Sequence, residues 1–453
     1  MLPIRSRRVA ALAVASTLLL AACSGGFGGA SPTTAPSAET PSEAASPSAS
    51  EAAAPVTLTY LVDDTEATQA RAAALTEAYT ALHPNVTFEI ETRPGGTDGD
   101  NIVKTRLSTG EMTDIFWYNS GSLLQALNPA ESLVDVAAEP WIANIAESYL
   151  PTVSAGDKIF GAPSETAMGG GVLYNKKVYA DLGLEVPTTW AEFAANNEKI
   201  KAAGIAPVAA TFGDTWTSQL FVLADYFNVQ TAVPDFAEKY TANQAHYADT
   251  PAALASFKRL QEAFDKGWWQ EDFAATKLDG GLEAVATGTA AHYPMLTFVL
   301  GTIAENFPEQ VNDVGFFAQP GDGANGATIW MPAATYIAST TEHADVAKDF
   351  LGFIASVEGT EALTAAVPPS GPYVINGSSL PDTVLPAVKD IQTYLDANAA
   401  APALEFLSPV KGPALEQITV AVGTGQYTAE EAAALYDQDV QKAAQQLGLP
   451  GWE

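Results

Sequence analysis

Apolar and polar positions change period several times along this chain, and each change marks an element. Residues 56–62 alternate and are rich in β-branched side chains, as a half-buried strand requires. Residues 65–82 then space Ala70, Ala74, Leu75, Ala78 and Leu82 along one face of a helix. A second strand is predicted over 85–91, and the β–α–β order implies a parallel sheet with a right-handed crossover. TDIFWY (113–118) reads as a third strand, with Asn119, Ser120 and Gly121 as its loop.

Farther on, 171–174 is an apolar extended run, which suits a buried strand. A short helical turn over 175–180 is ended by Gly183. Thr189 and Glu192 make a capping box: the hydroxyl accepts a free N–H of the new helix and the glutamate reaches back. That helix runs to Ala203 and stops at Gly204. Residues 205–211 form another predicted strand. Thr250 with Pro251 opens a helix that Gly267 stops. A strand over 313–319, a glycine-rich loop over 320–327, a strand over 330–338 and a helix over 345–356 follow. Thr428 and Glu431 cap a last helix ending at Gly448. The alternation predicts an α/β fold of one or two doubly wound lobes, in which ligands sit at the carboxyl ends of strands.

The first 54 residues have a different character. Arg5, Arg7 and Arg8 precede an apolar run over 9–22, too short to span a membrane comfortably and ending in small residues, as in a secretory leader. Leu20–Ala21–Ala22–Cys23 resembles a bacterial lipobox, which implies cleavage before Cys23 and lipidation of its thiol; the alternative is a plain leader with a chance cysteine. Two or more acyl chains would anchor the protein lastingly. Residues 24–54 are mostly Ser, Ala, Pro, Thr and Gly with three glutamates, too poor in apolar surface to offset ordering, and read as a flexible tether.

Charge and cysteine content then exclude several classes. The net charge of −32 over 453 residues opposes nucleic-acid binding, which needs clustered Lys and Arg. One cysteine allows no internal disulfide and no cysteine-based metal site. His83, His246, His292 and His343 are scattered, so no metal site and no cofactor is expected.

YNK (174–176), LGL (182–184), VPTTW (186–190) and KAAGIAPV (201–208) resemble the carbohydrate-binding group, family 1, of the extracellular solute-binding proteins of ABC importers. The resemblance covers most of 56–447. It implies two discontinuous lobes of the periplasmic-binding-protein type II fold, joined by a hinge, with a ligand cleft between them. The expected division gives 55–162 and 292–339 to lobe 1, and 163–291 and 340–453 to lobe 2.

A sugar needs planar donors and acceptors for its hydroxyls and aromatic rings for its C–H faces. Asp64 stands where the family has a sugar-binding aspartate after the first strand. Asp63 and Glu66 are its neighbours, and all three acids suit helix capping equally well. DIFW resembles the segment that carries a stacking tryptophan, which points to Trp117, with a core role as the alternative. Asn119 and Ser120 fall at the family's polar positions, although Ser120 stands where the maltose binder has an acid. Glu165, in PSETAMGGG, lies near a polar site residue of the family; a solvent-facing position is the alternative. Asp214 and Trp216 match an acid–aromatic pair of lobe 2. GTAAHYPMLTFV (288–299) resembles a segment ending in a stacking ring, which points to Phe298, with Tyr293 beside it. Trp330 begins a strand in the second crossing region.

The resemblance implies a lipid-anchored receptor on the extracytoplasmic face of the membrane. It would be monomeric, capture a mono- or oligosaccharide and partner with permease subunits. The competing readings are a receptor for a non-sugar solute, such as a peptide or polyamine, and a secreted glycoside hydrolase. Against an enzyme, the chain has no G-x-S-x-G elbow, no P-loop lysine and no nucleophilic cysteine.

Overall fold

The structure is a computed structural model that describes residues 54–453. The leader, Cys23 and nearly all of the expected tether lie outside the described residues. Thirteen strands follow in chain order. The first six are β1 (Val56–Asp63), β2 (Val86–Arg93), β3 (Ile115–Tyr118), β4 (Ser154–Ala155), β5 (Lys158–Ile159) and β6 (Gly161–Pro163). The rest are β7 (Met168–Asn175), β8 (Ala206–Val208), β9 (Ala290–Leu296), β10 (Val314–Ala318), β11 (Ala327–Trp330), β12 (Ala334–Ile337) and β13 (Ala400–Pro402).

They make two main sheets. The first has the order β2-β1-β3-β12-β6, and the second has β13-β11-β7-β9-β8 with β10 also on β7. In the first, β1 runs parallel to β2 and β3, as the β–α–β order predicts, and β12 returns antiparallel between β3 and β6. In the second, β7 is flanked by antiparallel β9, β10 and β11. Each sheet is the core of one lobe.

The expected lobe division needs correction on sheet membership. Of residues 292–339, only β12 joins the first sheet; β9, β10 and β11 pair around β7 in the second. The predicted strand over 330–338 is two strands in different sheets, separated by Met331, Pro332 and Ala333. The helix Ala344–Ile354, expected in lobe 2, packs on the first sheet. Its Phe350 meets Tyr79, Phe88 and Tyr60 at ring separations of 5.1, 4.7 and 6.3 Å. The aromatic surface of lobe 1 claims this helix, which sequence order alone does not reveal.

Both capping boxes are present, at Thr189/Glu192 and Thr428/Glu431, with each N3 glutamate accepting from the backbone behind it. The first helix, Glu66–Leu82, forms as expected but turns another face inward. It buries Thr68, Arg71, Ala72, Leu75, Thr76 and Tyr79, and Leu82 is 63% exposed. The cause is specific pairing: Tyr79 donates to Asp349 Oδ2 at 2.7 Å, and Arg71 reaches Glu165 at 2.9 Å. These polar anchors override the alanine stripe that its spacing suggests.

Candidate functional site

Three segments carry the chain between the lobes: from β6 to β7, from β11 to β12, and around Ser370. They are laced by short hydrogen bonds. The Ser164 amide donates to Ala333 O at 3.1 Å, and the Ala167 amide donates to Pro372 O at 2.9 Å. Thr166 and Ser370 share a hydroxyl contact of 2.9 Å, and Thr297 Oγ1 donates to Ser370 O at 2.6 Å. At the centre sits Glu165. One carboxylate oxygen accepts from Arg71 Nη1 at 2.9 Å and the other from the Ala333 amide at 3.0 Å. Burial pushes its carboxyl above the usual range, and Arg71 opposes that shift. Its full set of partners makes Glu165 a brace between two crossing segments and lobe 1. Its burial overturns the solvent-facing alternative.

The carboxyl edge of the first sheet lies against this hinge. β1 ends at Asp63 and β2 at Arg93, which are paired in register. Asp63 is buried and accepts from Thr65 N and Oγ1, so it shapes the helix entry. Asp64 and Glu66 are exposed at the same turn. Trp117 is half-buried, and Asn119 follows β3 with its carbonyl accepting from Tyr336 Oη at 3.3 Å. Ser120 is buried and donates to Pro332 O at 2.8 Å, which ties the β3 loop to the second crossing segment.

Lobe 2 faces this edge with a compact turn, Thr215–Gln219. Asp214 opens it, accepting from the Leu278 amide at 2.8 Å through Oδ2 and so capping the helix Leu278–Thr287. Trp216 and Phe298 are half-buried with ring centroids 6.1 Å apart and planes at 36°. Ser218 binds the turn to the helix Leu415–Gly423 through Glu416 O and Thr419 Oγ1. From that helix Glu416 crosses to lobe 1 and accepts from Thr97 Oγ1 at 2.8 Å. Gly121 abuts Glu405 and Phe406 so closely that a Cβ there would stand 2.5 Å from the Glu405 carbonyl.

A sequence profile of the family described as bacterial extracellular solute-binding protein matches residues 62–361. The chain belongs to that family. A relative from Streptococcus mutans, the "Multiple sugar-binding protein", is 26% identical over 270 residues, which cover 58% of this chain and 63% of that protein. The match thus spans less than two thirds of that relative's length. Among solved structures, one titled "Chitin oligosaccharide binding protein" is 24% identical with a TM-score of 0.76, covering 86% of this chain and 99% of the other. Another, "SBP RafE in complex with raffinose", is 20% identical with a TM-score of 0.71 over 86% and 99%. The fold is the two-lobed α/β fold of those proteins.

In this solute-binding protein Asp64, Glu66, Trp117, Asn119, Asp214, Trp216 and Phe298 are exposed or half-buried and stand at strand ends or in the turns that follow them. Tyr293 and Trp330 depart from expectation. Tyr293 is 1% exposed and shares a 2.7 Å hydroxyl contact with Thr211, so it belongs to the lobe 2 core. Trp330 is 7% exposed, and a Cβ on Gly170 would stand 2.1 Å from its ring. The glycines of β7 make room for that ring, which packs instead of stacking on a ligand. Sequence reasoning missed Arg93, Thr97, Glu405 and Glu416. The signal for Arg93 is an arginine closing a strand just before Pro94–Gly95–Gly96; the lobe 2 pair becomes visible only through the fold. Among the described residues no helix is long and apolar enough to cross a membrane, and no group of three His, Cys, Asp or Glu is placed to hold a metal.

Proposed function

We propose that the protein is the sugar-capturing receptor of an ABC importer. It closes its two lobes on a mono- or oligosaccharide and delivers it, unaltered, to permease subunits in the membrane. The observation that supports this reading is the half-exposed Trp216–Phe298 pair on lobe 2, with Asp214 two residues before Trp216, and a second set of acids with the half-buried Trp117 at the carboxyl edge of the first sheet. Rings supply a flat apolar platform, and carboxylates and amides supply hydroxyl partners. The sugar names borne by the relative and by the similar structures agree with it. Closure follows from the ligand's greater affinity for the closed state. Lipidation at Cys23 and a flexible stretch beyond it would hold the receptor at the outer face of the membrane.

A thermal-shift screen of saccharides, peptides and polyamines tests the reading. One sugar class at about 100 times its Kd should stabilise the protein by about 2.7 kcal/mol and be recovered intact. Stabilisation by peptides or amines with none by sugars overturns it, as does recovery of cleaved glycan.

A further inference from the structure

Arg93 is a buried cation with no direct ion pair, although Asp100 in the following helix lies close enough to feel its charge. It is 3% exposed, its Nε and Nη2 have no hydrogen-bond partner, and no carboxylate among the described residues lies within ion-pairing distance. Its one hydrogen bond runs from Nη1 to Pro94 O at 3.0 Å. Guanidinium N–H groups held out of water without acceptors are costly, and such groups persist where another molecule supplies the acceptor.

Its position says where that partner would come from. Arg93 ends β2 in register with Asp63, yet its guanidinium lies over the rings of Trp117 and Tyr118 on β3, at 5.7 and 5.5 Å. The side chain therefore spans the carboxyl edge of three parallel strands, where this kind of sheet binds ligands. It also lies against the first turn of the helix Gly96–Thr109. A Cβ on Gly99 would come within 2.4 Å of Nη1, so glycine there makes room for the guanidinium. That helix has Gly95 at its N-cap and no side-chain cap, so its first N–H groups also lack a side-chain acceptor. Thr97, in the same turn, touches Glu416 of lobe 2, which places this turn on the cleft wall. The charges nearby nearly balance. Asp100, Glu405 and Glu416 stand against Arg93, Lys104 and Lys411, with Glu405 already paired to Lys411 at 3.2 Å.

We infer that Arg93, the first turn of Gly96–Thr109 and the Trp117 ring form a subsite for a planar oxygen acceptor carried on a sugar ring. That acceptor is the carboxylate of a uronic acid or the carbonyl of an acetamido group. The guanidinium fork offers two parallel N–H donors to such a group, which a plain hydroxyl does not match. The inference rests on the sugar-receptor reading and makes Arg93 a specificity-determining residue within it.

The test is calorimetric titration of the protein with linkage-matched hexose, N-acetylhexosamine and hexuronate saccharides, repeated with Arg93→Met and Arg93→Lys. The tightest wild-type ligand should carry the acceptor group. Its preference over the unsubstituted sugar should be ~10–100-fold, as expected for hydrogen bonds to a charged donor. Arg93→Met should abolish that preference while changing affinity for the unsubstituted sugar little. Added salt separates the two sources, because it weakens binding of a carboxylate and leaves an acetamido ligand almost unaffected. If Arg93→Met does not fold, the wild-type preference alone decides. An unsubstituted sugar that binds as tightly as the best substituted one overturns the inference and leaves the receptor reading standing. Equal loss for all sugars in Arg93→Met overturns it in the same way. Absence of binding by every saccharide overturns both.

Discussion

Replacing Glu165 with alanine separates a hinge brace from a ligand contact. The substitution strips Arg71 of its only carboxylate while that arginine stays 6% exposed at its side chain, and it leaves the Ala333 amide without its acceptor. Breaking a buried pair by removing one partner costs about 3–5 kcal/mol. With an unfolding entropy of about 2.1 cal/mol/K per residue over about 400 residues, that loss lowers Tm by about 4–6 °C if the lobes unfold together. Scanning calorimetry of the ligand-free protein reads it directly. Adding Arg71→Met to Glu165→Leu removes both charges and should restore most of the loss, because a buried pair exchanged for apolar groups is nearly neutral. A Glu165→Ala protein that melts within about 1 °C of the parent, or a double variant no better than the single one, would refute the brace.

Three further outcomes follow from the geometry. Trp216→Ala should weaken sugar binding by at least ~10-fold, by loss of a stacking ring, and lower Tm only slightly; an equal loss of both would show Trp216 to be core. Glu416→Ala breaks the contact with Thr97 across the cleft, and a hydrogen bond to a charged group contributes about 1.5–3 kcal/mol. The ligand-free protein should then have a larger radius of gyration in small-angle scattering, and an unchanged radius counts against the contact. Burial raises Asp225 from 3.8 to about 6, against the pull of Arg259. The folded protein therefore holds this proton more tightly than the unfolded chain. The resulting stability is full below about pH 4 and is lost as pH rises through about 6. Asp225→Asn should flatten the pH dependence of Tm in that window, and an undiminished slope would assign it to other groups.

Local signals in the sequence were legible because they are enforced locally. The two capping boxes, the opening β–α–β unit and the TDIFWY strand need only neighbours in the chain, and each stands where its residues predict. The strand-end acids and the Trp216 turn were readable for the same reason. The burial of Tyr293 and Trp330 was not, because it depends on glycines of a distant strand and on Thr211. The inward face of the first helix was set by Asp349 and Glu165, 270 and 94 residues from their partners. Arg93 lies beyond the strand predicted over 85–91, and only the sheet brings Trp117 and Tyr118 beneath it.

The placement of β12 between β3 and β6 has a consequence for how the protein comes to exist. Ala334 pairs with both Tyr118 and Pro163, so an inner strand of the N-terminal sheet is contributed by a segment emerging late in synthesis. Until then the nascent chain holds an incomplete sheet with open edges, prone to association with other chains. Closing a loop of that length is also an entropic hurdle that slows assembly. The N-terminal sheet is thus completed only once residues 334–337 have joined it, which ties the folding of the first lobe to the synthesis of most of the chain.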